Sequence, residues 1–405
     1  GISLCKENGI LAYICTNKFF NTGYGRLLRA FILSHSLRQI LNFEQCEVFE
    51  NVLVSSVITI IRNNASSSEG TIKFKNWYKL NRKDFLCSFQ HNTSKLQSYP
   101  LSVLSADEWS FSDIDKLKLK TKIEQGNTLI GNIDGGFIFR GVTTGYNPAF
   151  IISDKKRDEF LAVNAINSQI IKKLLQGKNI RKWYYTESIE NLLFIPWHFP
   201  FHKDKTIAGA SQISEKIFAC SYPDIYAHLL QHKELLLERN SAETGIRYEW
   251  YALQRCAASY YEHFERDEKI IWGLTADKWA FAYDDRQHYL PSNGYILTST
   301  TLPIKYILGI LNSKVLEFYF SFIGVMTAGG AYTLKHDTIS KLPFPTAEFD
   351  QQQTIIALVD RILAAKKANP SADTSSLEAG IDQLVYRLYG LTEEEIAIVE
   401  RDKKK

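Results

Sequence analysis

The chain lacks the features that mark membrane, secreted and zinc-binding proteins. It has no run of eighteen apolar residues, and no basic segment near its start precedes an apolar stretch with a small-residue cleavage site. We therefore expect a cytoplasmic protein. Its 6 cysteines include no C-x-x-C pair, so the sequence predicts neither a disulfide framework nor a zinc site.

The chain also lacks a strong excess of charge of either sign. Its net charge is +4 and its isoelectric point is about 8.5, below what a purely electrostatic DNA-binding protein would carry. Contact with nucleic acid would therefore require basic residues concentrated in one place. Apolar residues make up 45% of the 405 residues and aromatic residues 13%, which is enough for two or three domains with cores of their own.

The N-terminal part has the pattern of the end of an α/β sheet. Residues 9–15 (GILAYIC) and 53–61 (LVSSVITII) are apolar strands, and residues 26–34 place Leu27, Leu28, Phe31 and Ile32 on one helix face. A parallel sheet needs several βαβ units and only one is visible, so we expect an incomplete sheet over residues 9–62 with an exposed edge. The polar stretch 63–70 (NNASSSEG) predicts a linker or an exposed loop with a domain boundary near it.

The rest of the chain predicts a mixed α+β region and then helices. Short strands such as GFIFRG alternate with helices, among them residues 223–239 and the apolar face of residues 304–319. After LPFP, a helix carries Ile355, Val359 and Ile362 on one face. A polar break and a second helix follow, and Thr392-x-x-Glu395 predicts the capped start of a third helix.

Two segments of the middle region combine residue types that contact nucleic acid. Residues 141–153 (GVTTGYNPAFIIS) predict a tight turn and a strand, and residues 174–185 (LLQGKNIRKWYY) predict a helix end. The short polar side chains of the first segment can bond to phosphates or base edges, although any turn favours the same residues. In the second, cations suit phosphates and rings suit insertion into a groove, although a solvated helix end has the same cations. The candidates are Thr143, Thr144, Asn147, Lys178, Arg181, Lys182, Trp183 and Tyr184.

A Gly-rich loop and two pairs of histidines each allow a functional and a purely structural interpretation. Backbone amides of Gly329 and Gly330, with Thr333 and Lys335, can present donors and a cation to a phosphate; the alternative is a plain flexible connection. The pairs His198/His202 and His228/His232 have spacings that metals use, but no third ligand lies near them in sequence. The sequence therefore predicts no metal site.

These segments, in this order and spacing, resemble the target-recognition domain of single-chain adenine-specific DNA methyltransferases and type IIG restriction-modification enzymes. The similarity is to the Eco57I-like family with a TaqI-like C-terminal specificity domain. It rests on GVTTGYNPAF, LLQGKNIRKWYY, WYALQRC…FERDEKIIWG and LGILNSKVLEFYF…GGAYTLKHDTISKLPFP, and on the ending LEAGIDQLVYRLYGLTEEEI. The fourth segment is also similar to the end of a domain in type I specificity subunits. Upstream, GILAYICTNKFF, GRLLRAFI and EVFENVLVSSVITIIRN resemble the part of the family that follows its catalytic tetrapeptide.

The resemblance implies a fold class and a domain division. It implies an incomplete Rossmann-like α/β remnant of a methyltransferase catalytic domain (1–65), a connecting segment (66–124), an α+β DNA target-recognition domain (125–345) and a C-terminal helical segment (346–405). Phe49 matches an aromatic residue that stacks on the extruded adenine in the family, and the alternative is an ordinary core residue beside a strand.

The resemblance also implies what this chain does not do alone. The family's Gly-rich cofactor loop and Asn-Pro-Pro-Tyr type tetrapeptide are absent from the sequence. We therefore expect the chain to recognise double-stranded DNA but neither to bind S-adenosylmethionine nor to methylate without an upstream catalytic half. One alternative is a non-enzymatic specificity subunit that serves a separate methyltransferase chain, which would not need residues 9–62. Another is a fragment without activity.

Overall fold

Two units, Gly1–Lys122 and Ile123–Lys405, make up the chain. The structure is a computed structural model that describes residues 1–50, 54–65, 70–78, 80–91, 96–106, 109, 111, 114–255, 261–327 and 330–402. The strands of the first unit are β1 (Ile10–Thr16), β2 (His35–Glu44), β3 (Ser56–Ala65), β4 (Thr71–Tyr78) and β5 (Gln97–Pro100). Its helices are α1 (Arg26–Leu33) and α2 (Arg82–His91), and α3 (Ile114–Glu124) runs across the boundary.

The first unit is built on one sheet with the order β1-β3-β2-β4-β5. Both β1 and β2 run antiparallel to β3, so they are parallel to each other and α1 forms the crossover between them. This is the single βαβ unit that the sequence predicts. β1 lies at one edge of the described sheet, and Ile10, Tyr13 and Ile14 on it are between 42% and 64% exposed.

The sheet does not end at the domain boundary predicted near residue 65. Strands β4 and β5, from the segment predicted as a connector, extend the same sheet, and β4 is parallel to β2. The rings of Trp77 on β4 and Phe85 on α2 lie 5.3 and 5.1 Å from that of Phe43 on β2. The polar stretch at residues 63–65 is the end of β3, and residues 66–69 lie outside the described chain. A polar composition indicated a linker, but backbone pairing with β2 holds this end of β3 in the sheet.

Helix α1 exposes most of its predicted apolar face, although Ile32 on that face is buried. Leu27 is 84% exposed and Phe31 48%, whereas Arg29 is 1% exposed. The Arg29 guanidinium donates to the carbonyl oxygens of Phe19, Thr22 (3.0 Å) and Ala106 (2.8 Å). These bonds compensate the loss of water around a buried cation, and they fix which side of the helix faces inward.

The second unit contains twelve further strands and twelve further helices among the residues that the structure describes. The strands are β6 (Thr128–Leu129), β7 (Gly136–Arg140), β8 (Ile151–Ser153), β9 (Ile171–Lys173), β10 (Glu190–Leu193), β11 (Lys269–Gly273), β12 (Thr275–Ala276), β13 (Ala282–Asp284), β14 (Gly294–Ser299), β15 (Val325–Met326), β16 (Tyr332–Thr333) and β17 (Pro343–Phe344). The helices are α4 (Asn147–Phe150), α5 (Asp154–Val163), α6 (Gln212–Ser221), α7 (Pro223–Leu230), α8 (Lys233–Glu238), α9 (Tyr261–Phe264), α10 (Ile304–Leu311), α11 (Lys314–Ile323), α12 (His336–Ile339), α13 (Phe349–Ala368), α14 (Ser375–Leu388) and α15 (Glu393–Asp402).

Four small sheets organise the second unit. Their strand orders are β13-β11-β14-β7, β8-β10-β9, β12-β16-β15 and β17-β6. A core of fully buried side chains joins the first two sheets to the helices and includes Phe150, Phe218, Tyr251, Tyr289 and Ile296. The mixed α+β pattern predicted for this region is therefore observed.

Two predicted long helices are broken. The apolar pattern of residues 304–319 is divided between α10 and α11, because the Asn312 side chain donates to the Phe281 carbonyl (2.9 Å) and accepts from its amide (3.1 Å). Residues 223–239 form α7 and α8, with a turn at Gln231 and His232. Asn167 donates to Asp224 in the first turn of α7, and no side chain caps this helix. Periodicity identified the buried face but not the side chains that interrupt it.

The C-terminal helices match the sequence prediction closely. Ile355, Val359 and Ile362 on α13 are buried. The start of α15 has the predicted reciprocal cap: the Thr392 amide donates to the Glu395 carboxylate (2.8 Å), and the Thr392 hydroxyl accepts from the Glu395 amide (3.4 Å).

In the described parts of the chain, no single helix has both the length and the apolar composition needed to cross a membrane. Helices α10 and α11 meet that test only as a pair bent by 63°.

Candidate nucleic-acid interface

A small sheet connects candidate residues that lie far apart in the sequence. Strand β12 pairs with β16, and the Leu334 amide donates to the Leu274 carbonyl (2.8 Å) beside them. On its other side, the short 3-10 helix Gly177–Asn179 approaches so closely that a Cβ at Gly177 would lie 3.3 Å from the Cα of Gly273. The backbone segments that carry Lys178, Thr333 and Lys335 are therefore joined through β12, which the sequence analysis did not identify.

The basic and aromatic segment is not the end of a helix. After β9, the Leu175 amide donates to the Tyr289 carbonyl (2.9 Å), and the chain continues through the Gly177–Asn179 turn. A short apolar run such as Leu174–Leu175 fits a buried extended segment as well as a helix, which is why the prediction was wrong. Trp183 has a φ of 78° and is 1% exposed. Its ring belongs to the core and cannot enter a DNA groove without unfolding.

The cations of this segment have different environments. The Lys182 ammonium lies 2.6 Å from the Glu378 carboxylate on α14 and so is already paired. Burial alone would raise the pKa of Glu378, but the Lys182 charge and the hydrogen bonds from Lys182 and Thr374 together outweigh it and lower that pKa. Within the part of the chain that the structure describes, the exposed side chains of Lys178 and Arg181 form no ion pair. Tyr184 is half-buried, with the Lys366 ammonium 5.6 Å from its ring centroid.

Residues 141–147 form a turn in which only one of the three candidate residues, Asn147, is exposed. Thr144 is 5% exposed, and its hydroxyl donates to Asn147 Oδ1 (2.6 Å). It is a structural residue of the turn and not a DNA contact. Thr143 is half-buried and its carbonyl accepts from the Arg255 amide (3.1 Å), whereas Asn147 is exposed at the start of α4. The predicted strand begins only after α4, as β8.

Arg239 holds this turn, and sequence reasoning missed it. Its guanidinium donates to the carbonyl oxygens of Leu236 (2.9 Å), Thr144 (2.6 Å), Trp250 (2.7 Å) and Ala252 (2.9 Å). Burial lowers the pKa of Arg239 to about 10. No local pattern marks it, because the partner in the turn is distant in the sequence.

The Gly-rich loop connects β15 and β16, which pair antiparallel to each other. The Gly330 amide donates to the Thr327 carbonyl (2.9 Å), and the Thr327 amide donates to the Ala331 carbonyl (2.8 Å). Gly330 has a φ of 82°, and its amide bonds within the turn, so it is not a free phosphate donor. Gly329 lies outside the described residues. Thr333 is half-buried on β16, and Lys335 is exposed just before α12.

Phe49 is not a core residue beside a strand. Its side chain is 48% exposed in the connection between β2 and β3. This exposure leaves part of its ring accessible for stacking.

A buried ionic cluster lies at the sheet β13-β11-β14-β7. The Asp284 carboxylate lies 2.8 Å from the Lys269 ammonium and 2.8 Å from His288 Nδ1. The side chains of Asp284 and Lys269 are 0% exposed. Burial alone would raise the pKa of Asp284, but the His288 hydrogen bond and the Lys269 charge outweigh it and lower the pKa to about 2. Desolvation lowers the pKa of Lys269.

Two protein-family models match separate parts of the chain. Residues 172–344 match the model of the TaqI-like C-terminal specificity domain, and residues 1–49 match that of the Eco57I restriction-modification methylase. The chain is therefore similar to the Eco57I-like restriction-modification methylases over residues 1–49 and to TaqI-like specificity domains over residues 172–344. The specificity-domain match contains Lys178, Arg181, Arg239, Thr333 and Lys335, while Thr143, Thr144 and Asn147 precede it.

Individual relatives support the same assignment. The type II restriction enzyme and methyltransferase RM.Eco57I of Escherichia coli is 24% identical over 378 residues, which cover 86% of this chain and 36% of the relative. The type II methyltransferase M.BstVI of Geobacillus stearothermophilus is 20% identical over 414 residues, covering 98% and 67%. The chain thus spans about a third of the length of the first relative.

One solved structure shares the fold. The type IIL restriction-modification enzyme MmeI, solved in complex with DNA, superposes with a TM-score of 0.54 at 14% identity, and the match covers 98% of this chain and 49% of that one.

Proposed function

We propose that this Eco57I-like chain is the DNA-recognition part of an adenine-N6 methyltransferase or restriction-modification enzyme. The observation that carries the proposal is the pair of exposed cations, Lys178 and Arg181, on a backbone joined to β12 and β16 inside the TaqI-like specificity domain. Cations in this setting neutralise phosphates and fix the register of a protein on the duplex, while neighbouring polar side chains contact base edges.

The chain does not transfer a methyl group by itself under this proposal. S-adenosylmethionine is implied for the whole enzyme by its methyltransferase relatives. The residues present do not fit it. Such cofactors bind at the carboxyl ends of successive parallel strands beside a Gly-rich loop. In the described part of the first unit, the helical crossover α1 joins β1 and β2, which the antiparallel β3 separates, and no Gly-rich loop directly follows either strand. We therefore assign no chemical step to this chain.

The partner that would supply the chemistry is an upstream catalytic half, and α1 with β1 is the surface proposed to bind it. Leu27, Leu28 and Phe31 are between 43% and 84% exposed on α1, and β1 is an unpaired edge of the described sheet. Contiguous apolar side chains and an open strand edge are typical of surfaces that another protein segment covers. The match of residues 1–49 to the methylase family and the greater length of the relatives favour a methylase segment as that partner.

Phe49 is proposed as the residue that stacks on the extruded adenine. A ring holds an unpaired base through its flat face, and the base must leave the duplex before its amino group can react. The half-exposed ring of Phe49 supports this role. The exposed Asn147 and the half-buried Thr143 are proposed DNA contacts beside the specificity domain.

The basic pair provides the direct test of DNA recognition. Replacing Lys178 and Arg181 by alanine should weaken binding to every duplex sequence and reduce the slope of log affinity against log salt by about 1.8, which is roughly 0.9 for each lost phosphate contact. The matched control is the double alanine variant of the exposed Lys203 and Lys205, which removes the same charge elsewhere.

Titration of duplex DNA by fluorescence anisotropy at several salt concentrations measures both quantities. Equal affinity and slope in the wild type and the Lys178/Arg181 variant would remove these cations from the interface. A loss as large in the Lys203/Lys205 control would show that net charge alone accounts for binding.

A further inference from the structure

The register of the sheet β12-β16-β15, called the small sheet below, aligns its side chains in two rows. Thr333 on β16 pairs with Thr275 on β12 and with Val325 on β15. Residues directly opposite in paired strands project from the same face of a sheet, about 5 Å apart. Thr275, Thr333 and Val325 therefore form one row on one face, and their neighbours Ala276, Tyr332 and Met326 form the row on the other.

The second row anchors the sheet to the specificity domain. The Tyr332 ring lies 5.8 Å from that of Trp279 and 5.7 Å from that of Phe320, and its hydroxyl donates to Glu317 (2.9 Å). The Trp279 indole donates to the Leu311 carbonyl (2.6 Å). Tyr332 thus anchors its row on the protein, although Met326 in that row is 47% exposed. The row of Thr333 lies on the opposite face of the sheet and is the outward row.

The outward row has the chemistry of a base-reading surface. Val325 is 62% exposed and Thr275 is exposed, whereas Thr333 between them is half-buried. A threonine hydroxyl can donate to or accept from base edges, and an aliphatic group can contact the methyl group of thymine. The major groove of DNA admits a β-ribbon.

Positive charge lies on both sides of this row. Lys178 follows Gly177, which packs on Gly273. Gly273 lies two residues before Thr275, and Lys335 lies two residues after Thr333. Both side chains are exposed. Asp277 and Lys278, which follow β12, are also exposed and cancel each other in charge. The exposed cations beside the row are thus Lys178 and Lys335, and Asp337, whose side chain is 91% exposed, places a carboxylate two residues after Lys335. Lys178 and Lys335 are the side chains available to phosphates on the two sides of a groove.

We propose that the ribbon formed by β12, β16 and β15 enters the major groove of duplex DNA, and that Thr275, Thr333 and Val325 contact base edges there. This inference rests on the proposed function and adds β12 and β15 to the recognition surface. Lys178 and Lys335 position the ribbon on phosphates, and the row between them discriminates among base pairs.

The test exchanges hydroxyl and methyl groups without changing side-chain shape. Thr275→Val removes a hydroxyl from the row and Val325→Thr adds one, and both keep a β-branched residue that suits a strand. The controls are Thr354→Val and Val163→Thr, which make the same exchanges at residues exposed on α13 and α5. Each full chain is incubated with a library of duplexes that carry a random central segment, and the bound duplexes are sequenced.

The wild type should enrich a defined sequence. Thr275→Val and Val325→Thr should each change the preferred base pair at one or two positions, with about tenfold loss of discrimination there and an unchanged salt slope. The controls should enrich the wild-type sequence. Failure of the wild-type chain to bind duplexes, or binding without any preference, would overturn the proposed function and this inference with it. A preference that both row variants keep, or a uniform loss of affinity without a changed preference, would overturn the inference alone.

Discussion

The buried Asp284 carboxylate allows a sharp test of how the specificity domain is held together. Asp284→Asn keeps the shape of the side chain but removes its charge, which leaves the Lys269 ammonium without its partner at a position that is 0% exposed. Breaking a buried ion pair in this way costs about 3 to 5 kcal/mol, because an uncompensated charge remains in the interior. The ordinary pKa of 3.8 for Asp284 falls to about 2 in the folded chain. The direction of this shift agrees with the ion pair, since the lowered pKa means that the folded chain favours the charged carboxylate.

Hydrogen exchange of the amides in β11 and β14 measures the opening of this sheet without interference from the first unit. Asp284→Asn should accelerate their exchange by about a hundredfold or more at neutral pH, since each 1.4 kcal/mol corresponds to a factor of ten. Glu187→Gln is the control, because the Glu187–Arg286 pair is 62% and 54% exposed and such pairs contribute about 0 to 1 kcal/mol. The double variant Lys269→Met with Asp284→Asn should recover part of the loss, since it removes the unpaired charge.

The same group sets an acid dependence with a definite sign. A carboxyl whose pKa is lowered by folding stabilises the fold above its ordinary pKa of 3.8, and that stabilisation is lost as pH falls towards about 2. The wild type should lose protection of β11 over this interval, and Asp284→Asn should show a smaller change there. An Asp284→Asn variant that exchanges like the wild type, or a double variant less protected than the single one, would refute the account of a stabilising buried pair.

Three other changes separate the roles assigned to different parts of the chain. Gly145→Ala should destabilise the turn by about 1 to 2 kcal/mol, because Gly145 has a φ of 75° and a Cβ there would lie 2.6 Å from Arg239 Cδ. A thermal midpoint equal to that of the wild type would contradict this prediction. Leu27→Asp should abolish copurification with the proposed catalytic half while Ile213→Asp, also at an exposed apolar residue, does not; retention by both variants argues against α1 as the docking surface. In the assembled enzyme, Phe49→Ala should slow methylation without changing the DNA sequence that is methylated. Mapping of the modified adenines measures this, and methylation at a different sequence would contradict the stacking role.

Sequence reasoning succeeded where structure depends on neighbouring residues and failed where it depends on distant ones. The buried face of α13 and the Thr392–Glu395 cap follow from local periodicity and capping chemistry, and both were predictable. The periodicity of α1 was also correct, but it did not reveal that the side with Arg29 faces inward, since the carbonyls that receive this guanidinium come from other segments.

The candidate site shows the same limit. Lys178 and Arg181 are exposed as a surface cluster requires, whereas Trp183 lies in the core because its backbone joins a distant strand: its amide donates to the Phe281 carbonyl (2.9 Å). Strand β12 has two residues, too few to give a pattern, and exists because β16 pairs with it. A sequence pattern cannot assign such a strand without knowing its partner.

The division of the small sheet into an anchored row and an outward row has a consequence for how the family diversifies. Substitutions of Thr275 or Val325 disturb little packing, so most of them should change stability by less than about 0.5 kcal/mol. The approach of Gly177 to Gly273, in contrast, leaves almost no room for a larger side chain at either position. Mutational drift can therefore exchange the outward side chains one at a time while the backbone that presents them stays fixed. Under the proposed role, new target sequences would arise in this lineage without a compensating change in the core.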